Sequence, residues 1–312
     1  MTEPEVVVLV PCYNEEIAVR KVIEDFRLAL PAATIFVYDN NSQDSTAEVA
    51  RAAGAIVRTE PLRGKGNVVR RMFADVAADI YVLVDGDDTY DAASAPALIR
   101  KLLEDSLDMV SAVRVENSAS AYRAGHRLGN SLLTGFVAWI FSSRSSDMLS
   151  GYRIFSHRFV KSFPALATGF EIETELTVHA LELRLPIAEL PTPYRERPPG
   201  SVSKLNTYRD GLRIARMIFL LIKGEKPLAF FLVVSGLFAI AALVLGFPVF
   251  VEYGKTGLVP RLPTAVLSMG LMVMALLSFT CGLVLDTVTR GRMEAKRLAY
   301  LSIPIRFTKP GK

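Results

Sequence analysis

The chain has 312 residues, 51% of them hydrophobic and 22% charged, with a formal net charge of +4. That composition supports a sizeable core and excludes disorder, collagen and a disulfide framework, and the two cysteines lack any metal or redox spacing. The hydrophobic excess is local: residues 227–251 and 263–285 carry no charged side chain, and ~20 apolar residues suffice to span a bilayer, so a membrane protein is expected.

In chain order, short Val/Ile-rich runs alternate with helical patterns. Strands are predicted at 6–10, 34–38, 55–58, 80–84 and 108–113; helices are predicted at about 15–30 and 45–53, after Gly66, and near 93–104. Unbroken apolar strands separated by helices predict a mostly parallel sheet covered on both faces. In such sheets ligands bind beyond the carboxyl ends of the strands. Polar residues gather at those ends: Pro11, Cys12, Tyr13, Asn14 and Glu15 after the first strand, Asp39 to Ser42 after the second, Arg63-Gly64-Lys65-Gly66 after the third, and Asp85-Gly86-Asp87-Asp88 after the fourth. Their clustering on one edge predicts a single site for an anion and a metal.

Asp85 and Asp87 on one tight turn are hard oxygen donors suited to Mg2+ or Mn2+, completed by substrate phosphates; the plain alternative is an Asp-Gly turn. The Arg63–Gly66 stretch opens a helix where backbone N–H groups can approach a phosphate, although it lacks P-loop spacing; the alternative is a solvated loop with a helix cap. Further along, Gly169 to Glu175 start a helix with Glu171 and Glu175 on one face, serving donor hydroxyls, a basic loop or simply the helix dipole. Asp147 stands where it could orient an arginine. The three histidines share no ligand spacing.

PCYNE (11–15), YDNNSQD (38–44), DGD (85–87) and SGYR (150–153), in that order, resemble the inverting family 2 glycosyltransferases of GT-A fold. The paired apolar segments that follow are similar to those of the polyisoprenyl-phosphate glycosyltransferases, the dolichyl-phosphate mannose synthases and bacterial GtrB-type enzymes. The resemblance implies a Rossmann-like GT-A domain, then an interfacial helix and a two-helix transmembrane hairpin. It implies that Pro11, Tyr13 and Glu15 line a nucleotide pocket, that Asp39 bonds the base, that Lys65 lies along the donor, and that Asp85, Gly86 and Asp87 hold the metal and donor diphosphate. Arg114, Arg127 and Arg153, with Ser150, correspond to the acceptor-phosphate and catalytic group, and Arg197, Ser203 and Lys204 to a juxtamembrane basic loop. The implied partners are a nucleotide sugar, either a UDP-sugar or GDP-mannose, and a polyprenyl phosphate, undecaprenyl or dolichyl. GtrB-type members carry an Asp inside the fourth motif; here Tyr152 and Arg153 follow Gly151 directly, as in the mannose synthases.

The C-terminal part begins with Tyr208 to Ile222, whose Leu212, Ala215, Ile218, Phe219 and Ile222 share one face with arginines opposite. This predicts a helix on anionic headgroups or, alternatively, a surface helix of the soluble domain. Cations crowd both outer flanks of the apolar pair, from Lys204 to Lys226 and from Arg290 to Lys312, while the link between holds only Lys255 and Arg261. Both flanks are therefore expected to be cytoplasmic, which accounts for the basic balance through lipid contact and leaves no role for nucleic acid. The expected organisation is a cytoplasmic catalytic domain over 1–205, a juxtamembrane helix over 206–226, a hairpin over 227–290 and a basic tail over 291–312, multi-pass in the inner membrane. Association into a homo-oligomer stays open. A processive polysaccharide synthase is disfavoured because its Q-x-x-R-W motif is absent, and a nucleotidyltransferase because PCYNEE lacks a glycine-rich loop. A non-enzymatic membrane scaffold is the remaining alternative class.

Overall fold

The computed structural model describes residues 3–116, 147–198 and 223–306, together with 135 and 219. Arg127, Ser203 and Lys204 lie outside the described residues, as does nearly all of the expected juxtamembrane helix. The chain divides into two compact units, one of residues 1–214 with 296–312, the other of residues 215–295.

The first unit alternates strands and helices: β1 (Val6–Cys12), α1 (Val19–Ala29), β2 (Thr34–Asp39), α2 (Thr46–Ala52), β3 (Ile56–Thr59), α3 (Lys65–Asp75), β4 (Ile80–Leu83), α4 (Ala95–Glu104), β5 (Met109–Glu116), β6 (Arg153–Ser156), α5 (His157–Ser162), α6 (Ile172–Leu183) and β7 (Ile187–Tyr194). One seven-stranded sheet results, in the order β3-β2-β1-β4-β6-β5-β7. The first four strands of that order are parallel, β6 runs antiparallel to both its neighbours, and β5 and β7 are parallel to each other. The sheet is thus mixed, and every strand predicted from the Val/Ile runs is present within a few residues.

Strand alternation distributes the core over two faces. Val8 and Val10 of β1 pack with Val22, Ile23 and Phe26 of α1 and with Leu98 and Leu102 of α4. Val7 and Leu9 pack on the other face with Val69 and Met72 of α3, Phe155, Phe159 and Leu176. Helix α1 forms because Val19, Val22, Ile23 and Phe26 recur at helical spacing and are all buried; Pro96 suits the first turn of α4, where its missing N–H costs nothing.

The second unit holds the two long apolar helices, α7 (Pro227–Thr256) and α8 (Leu262–Leu301), the last turns of α8 belonging to the first unit. Their most apolar stretches are only 6% and 11% buried, so these are not core helices of a soluble fold. They meet through small residues: Ser235 Oγ donates to Ala275 O at 2.8 Å, Ser268 Oγ donates to Ala242 O at 2.7 Å, and a side chain at Gly282 would meet Phe231 Cβ at 2.9 Å. Small residues that let two helices approach are the usual solution where no water drives helices together.

Residues 296–306, within the basic tail expected over 291–312, pack into the first unit. Lys296 Nζ lies 2.6 Å from Glu182 Oε2, Tyr300 OH donates to Asp108 Oδ2 at 2.7 Å, and Arg306 lies 3.6 Å from Asp79. Asp108 is buried and also receives Ser156 Oγ and the guanidinium of Arg158, which stacks over the Tyr300 ring at 4.3 Å.

Candidate active site

The loops at the carboxyl ends of β1, β2, β3 and β4 meet, as the parallel strand order requires, and are laced together by short polar bonds. Asn14, at φ 53°, accepts from Gln43 N at 2.8 Å while its own N–H donates to Ser42 Oγ at 2.9 Å; Glu15 N donates to Thr46 Oγ1 at 2.8 Å. Asn40 ties the second loop to the third: its Nδ2 donates to the Glu60 and Leu62 carbonyls, and its Oδ1 accepts from Gly64 N at 2.7 Å. Gly86 has to be glycine, since a Cβ there would lie 2.5 Å from Cys12 Sγ.

These loops line an open cleft bounded by Pro11, Cys12, Tyr13, Glu15, Asn40, Lys65, Val68, Asp85, Gly86, Asp87, Phe170 and Arg197. Nine residues singled out from the first four strand ends, and Arg197 from the far end of the domain, are therefore brought to one place. Asp39 is buried beside the cleft without lining it; its Oδ2 accepts from Ser42 N at 3.2 Å and its Oδ1 has no hydrogen-bond partner among the described residues.

Electrostatics in the cleft are dominated by two sets of ion pairs. Lys65 Nζ touches Asp85 Oδ1 at 2.5 Å and Glu173 Oε1 at 2.6 Å, and its side chain is only 8% exposed. Arg197 touches Asp87 Oδ2 at 2.6 Å and approaches Glu15 at 4.0 Å. Asp87 also accepts from Thr89 Oγ1 at 2.6 Å. Burial lowers the Lys65 pKa, and the Asp85 and Glu173 carboxylates more than reverse that effect, leaving the ammonium firmly charged. Burial and then the Asp85 charge raise Asp87 above the usual carboxylate range, against the pull of Arg197. Glu173 is likewise raised by burial, with Lys65 opposing.

The donor set fits a hard divalent cation. Among the described residues no three metal-ligating side chains converge; the two aspartates of the turn are the residues that would hold such an ion, in the manner common for Mg2+, whose shell substrate phosphates and water usually complete. The ion-paired cluster holds four carboxylates, Glu15, Asp85, Asp87 and Glu173, against two cations, Lys65 and Arg197. This acidic balance among the described pairs suits a divalent ion.

Other expected site residues are placed elsewhere. Arg153 was expected to meet the acceptor phosphate, but it is 1% exposed and spends its guanidinium on Ser150 O at 3.0 Å, Met148 O at 2.7 Å and Thr177 Oγ1 at 2.7 Å. As the first residue of β6 it faces the interior, where backbone carbonyls replace water. Ser150 is also buried, its hydroxyl donating to Ala112 O at 2.6 Å. Arg114 forms a two-pronged pair with Asp147 at 2.7 Å on each arm and lies over the Tyr194 ring, outside the cleft lining. Nor does the Arg63–Gly66 loop offer a full set of amides to a phosphate: Gly64 N bonds Asn40, while Gly66 N and Asn67 N bond the carbonyl of Thr168. Helix α6 turns Glu173 into the cleft cluster, whereas Glu175 accepts from the Leu166 and Ala167 amides and braces that loop. Sequence reasoning passed over Glu173 because only the packing of α6 decides which of its acids faces inward.

Comparison with known proteins agrees with this geometry. The model for "Glycosyl transferase family 2" matches residues 7–160. Glycosyltransferase AglJ of Haloferax volcanii is 33% identical over 253 residues, covering 81% of this chain and 82% of its own. A dolichyl-phosphate hexose transferase of the same organism is 28% identical over 218 residues, covering 70% of this chain and 93% of its own. Among solved structures, glucosyl-3-phosphoglycerate synthase of Mycobacterium tuberculosis in complex with Mn2+, UDP-glucose and phosphoglyceric acid superposes with a TM-score of 0.58 at 23% identity, over 71% of this chain and 79% of that one. The mixed sheet is thus a GT-A fold, and with the AglJ match running through most of both chains the protein belongs to glycosyltransferase family 2 and transfers sugar.

Proposed function

We propose that the protein is a membrane-bound inverting hexosyltransferase that moves a sugar from a UDP-sugar to a polyprenyl phosphate at the cytoplasmic face of the inner membrane, with Mg2+ or Mn2+ as cofactor. The observation that carries this reading is the cleft at the strand ends, where Asp85 and Asp87 stand beside Lys65 and Arg197. A relative that is a dolichyl-phosphate hexose transferase, a protein of the same fold solved with Mn2+ and UDP-glucose, and two long apolar helices following the catalytic unit all favour it.

In this reading Pro11 and Tyr13 flank the nucleotide, and the unpartnered Asp39 Oδ1 accepts a hydrogen bond from the base. Asp85 and Asp87 hold the divalent ion, which supplies charge neutralisation of the departing diphosphate. The attacking group, a phosphate monoester, is already an anion near neutral pH, so no side chain has to remove a proton. One acceptor oxygen bonds to the anomeric carbon from the face opposite the diphosphate, the bond to the diphosphate breaks with its electron pair, and the configuration inverts. The protein contributes positioning and cationic stabilisation, with Arg197 and the expected basic loop at Ser203 and Lys204 holding the acceptor phosphate through charge-assisted bonds.

The test incubates purified protein with UDP-hexoses and GDP-mannose, Mg2+ or Mn2+, and undecaprenyl or dolichyl phosphate, and weighs the lipid product by mass spectrometry. A hexose added to the lipid phosphate only when metal is present is the expected result. Asp87→Asn removes one metal ligand without changing shape and should cost on the order of a hundredfold or more in turnover with an unchanged melting temperature. Full activity in that variant removes the metal assignment, and absence of any product with every donor favours the scaffold reading.

A further inference from the structure

The two cations of the cleft are held very differently. Lys65 lies at the start of α3 with its side chain 8% exposed, and it has two carboxylate partners, so that losing Asp85 still leaves Glu173. Arg197 follows β7 outside any helix or strand, its side chain is 30% exposed, and its contacts include Asp87 at 2.6 Å and Glu15 at 4.0 Å. Both aspartates of the turn are thus already neutralised without any metal, one by a fixed cation and one by a cation on a long, partly solvated side chain.

We propose that Arg197 is a built-in counter-ion that a divalent cation displaces from Asp87, and that Glu173 is the positioning residue that keeps Lys65 in place while this happens. The proposal rests on the metal assignment made above and goes beyond it by giving Glu173 a role and Arg197 two successive ones. With the site empty of metal, Arg197 offsets the repulsion between two neighbouring carboxylates that burial would otherwise make costly. Once a divalent ion binds, like-charge repulsion drives the guanidinium off, and it becomes available at the cleft mouth for an anion. Glu173 prevents the same fate for Lys65, because the buried ammonium stays paired with Glu173 when Asp85 turns to the metal. The exchange breaks one ion pair and forms metal–carboxylate contacts; no covalent bond changes.

The experiment uses the full-length protein in detergent, without nucleotide sugar, with Mn2+ as the probe. Binding is followed by electron paramagnetic resonance, and arginine reactivity by phenylglyoxal labelling mapped by tandem mass spectrometry. Arg195, 53% exposed and paired with Asp91, is the internal control. Saturating Mn2+ should raise the labelling rate of Arg197 several-fold and leave Arg195 unchanged, and Asp87→Asn should show the fast Arg197 rate without Mn2+. Arg197→Gln should bind Mn2+ about tenfold more tightly than the natural protein, the scale expected for removing one competing charge. Glu173→Gln should make the Lys65 amine newly reactive toward acetylation on addition of Mn2+, at a melting temperature that shows the fold intact. Bound Mn2+ with an Arg197 rate that does not change, or Arg197→Gln with equal or weaker Mn2+ affinity, overturns the displacement while leaving the metal site standing. Mn2+ affinity equal in Asp87→Asn and the natural protein overturns the metal assignment and this inference together.

Discussion

Arg153 and Arg197 illustrate two uses of the same side chain. A guanidinium presents five donors and keeps its charge under almost any condition. In Arg153 those donors go to carbonyls and a threonine hydroxyl inside the core, where they fasten the 148–150 turn to α6; in Arg197 they go to acidic side chains at a cleft. The motif SGYR carries no mark that distinguishes the two, because its residues are equally suited to clamping backbone and to meeting phosphate. What decides is strand register: Arg153 pairs with Leu83 of β4 and Ser111 of β5 in the middle of the sheet, a consequence of long-range packing. By contrast, Asp85, Asp87, Tyr13 and Lys65 were legible, because strand ends in an α/β sheet converge by topology alone. Arg153→Lys should therefore lower stability by about 3 to 6 kcal/mol, the loss of two charge-assisted hydrogen bonds, measured by urea unfolding. The Michaelis constant for the lipid acceptor should stay within a factor of about two; a large selective rise in that constant would return Arg153 to the acceptor site.

Among the elements, α6 is the one whose sequence is least informative. Its start was legible from Gly169 onward, but a helix buried nearly all round, with Ile172, Leu176 and Ala180 inside alongside Glu173, Thr177 and Glu182, has no polar stripe to tell its faces apart. The polar residues it buries are consequently the ones with special environments. His179 is 1% exposed, stands edge-on to Phe159 and Phe163 at 5.4 and 5.3 Å, and neither ring nitrogen has a hydrogen-bond partner among the described residues. Burial, and secondarily the Lys296 charge, lowers its pKa from 6.5 to about 4. The folded protein therefore keeps the ring neutral where the unfolded chain takes up a proton, so stability is full above about pH 6.5, declines as pH falls below it, and levels off near pH 4. This one residue should account for about 2 kcal/mol of destabilisation at pH 5. His179→Leu should remove that share, seen as a smaller difference between urea unfolding at pH 7.5 and pH 5; an identical difference in both proteins would rule the assignment out.

On the scale of the whole molecule, hydropathy located the two long apolar helices, while the contacts made by the segment after them were not legible. Positive charge near Arg290 and Lys296 reads as a cytoplasmic flank under any rule based on composition, and nothing local in Lys296, Tyr300 or Arg306 announces partners at Glu182, Asp108 and Asp79, more than a hundred residues away. Those contacts give the first unit a C-terminal strap. Ending the chain at residue 295 leaves Glu182, whose side chain is 1% exposed, without Lys296, and an unpaired buried charge of this kind costs about 3 to 5 kcal/mol. Thermal melting of that truncation in detergent should fall by roughly 5 to 15 °C, and Tyr300→Phe by a smaller step; an unchanged melting curve would show the strap to be ornamental.

The strap also orders events during synthesis. The residues that complete the surroundings of Asp108 and Glu182 leave the ribosome only after both apolar helices have been made, so the nascent catalytic unit waits, with its final partners still missing, while the hairpin is translated. Domains ordinarily fold as they emerge, and here the first to emerge is the last to be finished. A ribosome-stalled chain ending before Lys296 would hold a sheet already paired yet open to protease around α5 and α6, and release of the remaining residues would close it. Maturation of the sugar-transferring unit is in this way tied in time to completion of the helices that follow it.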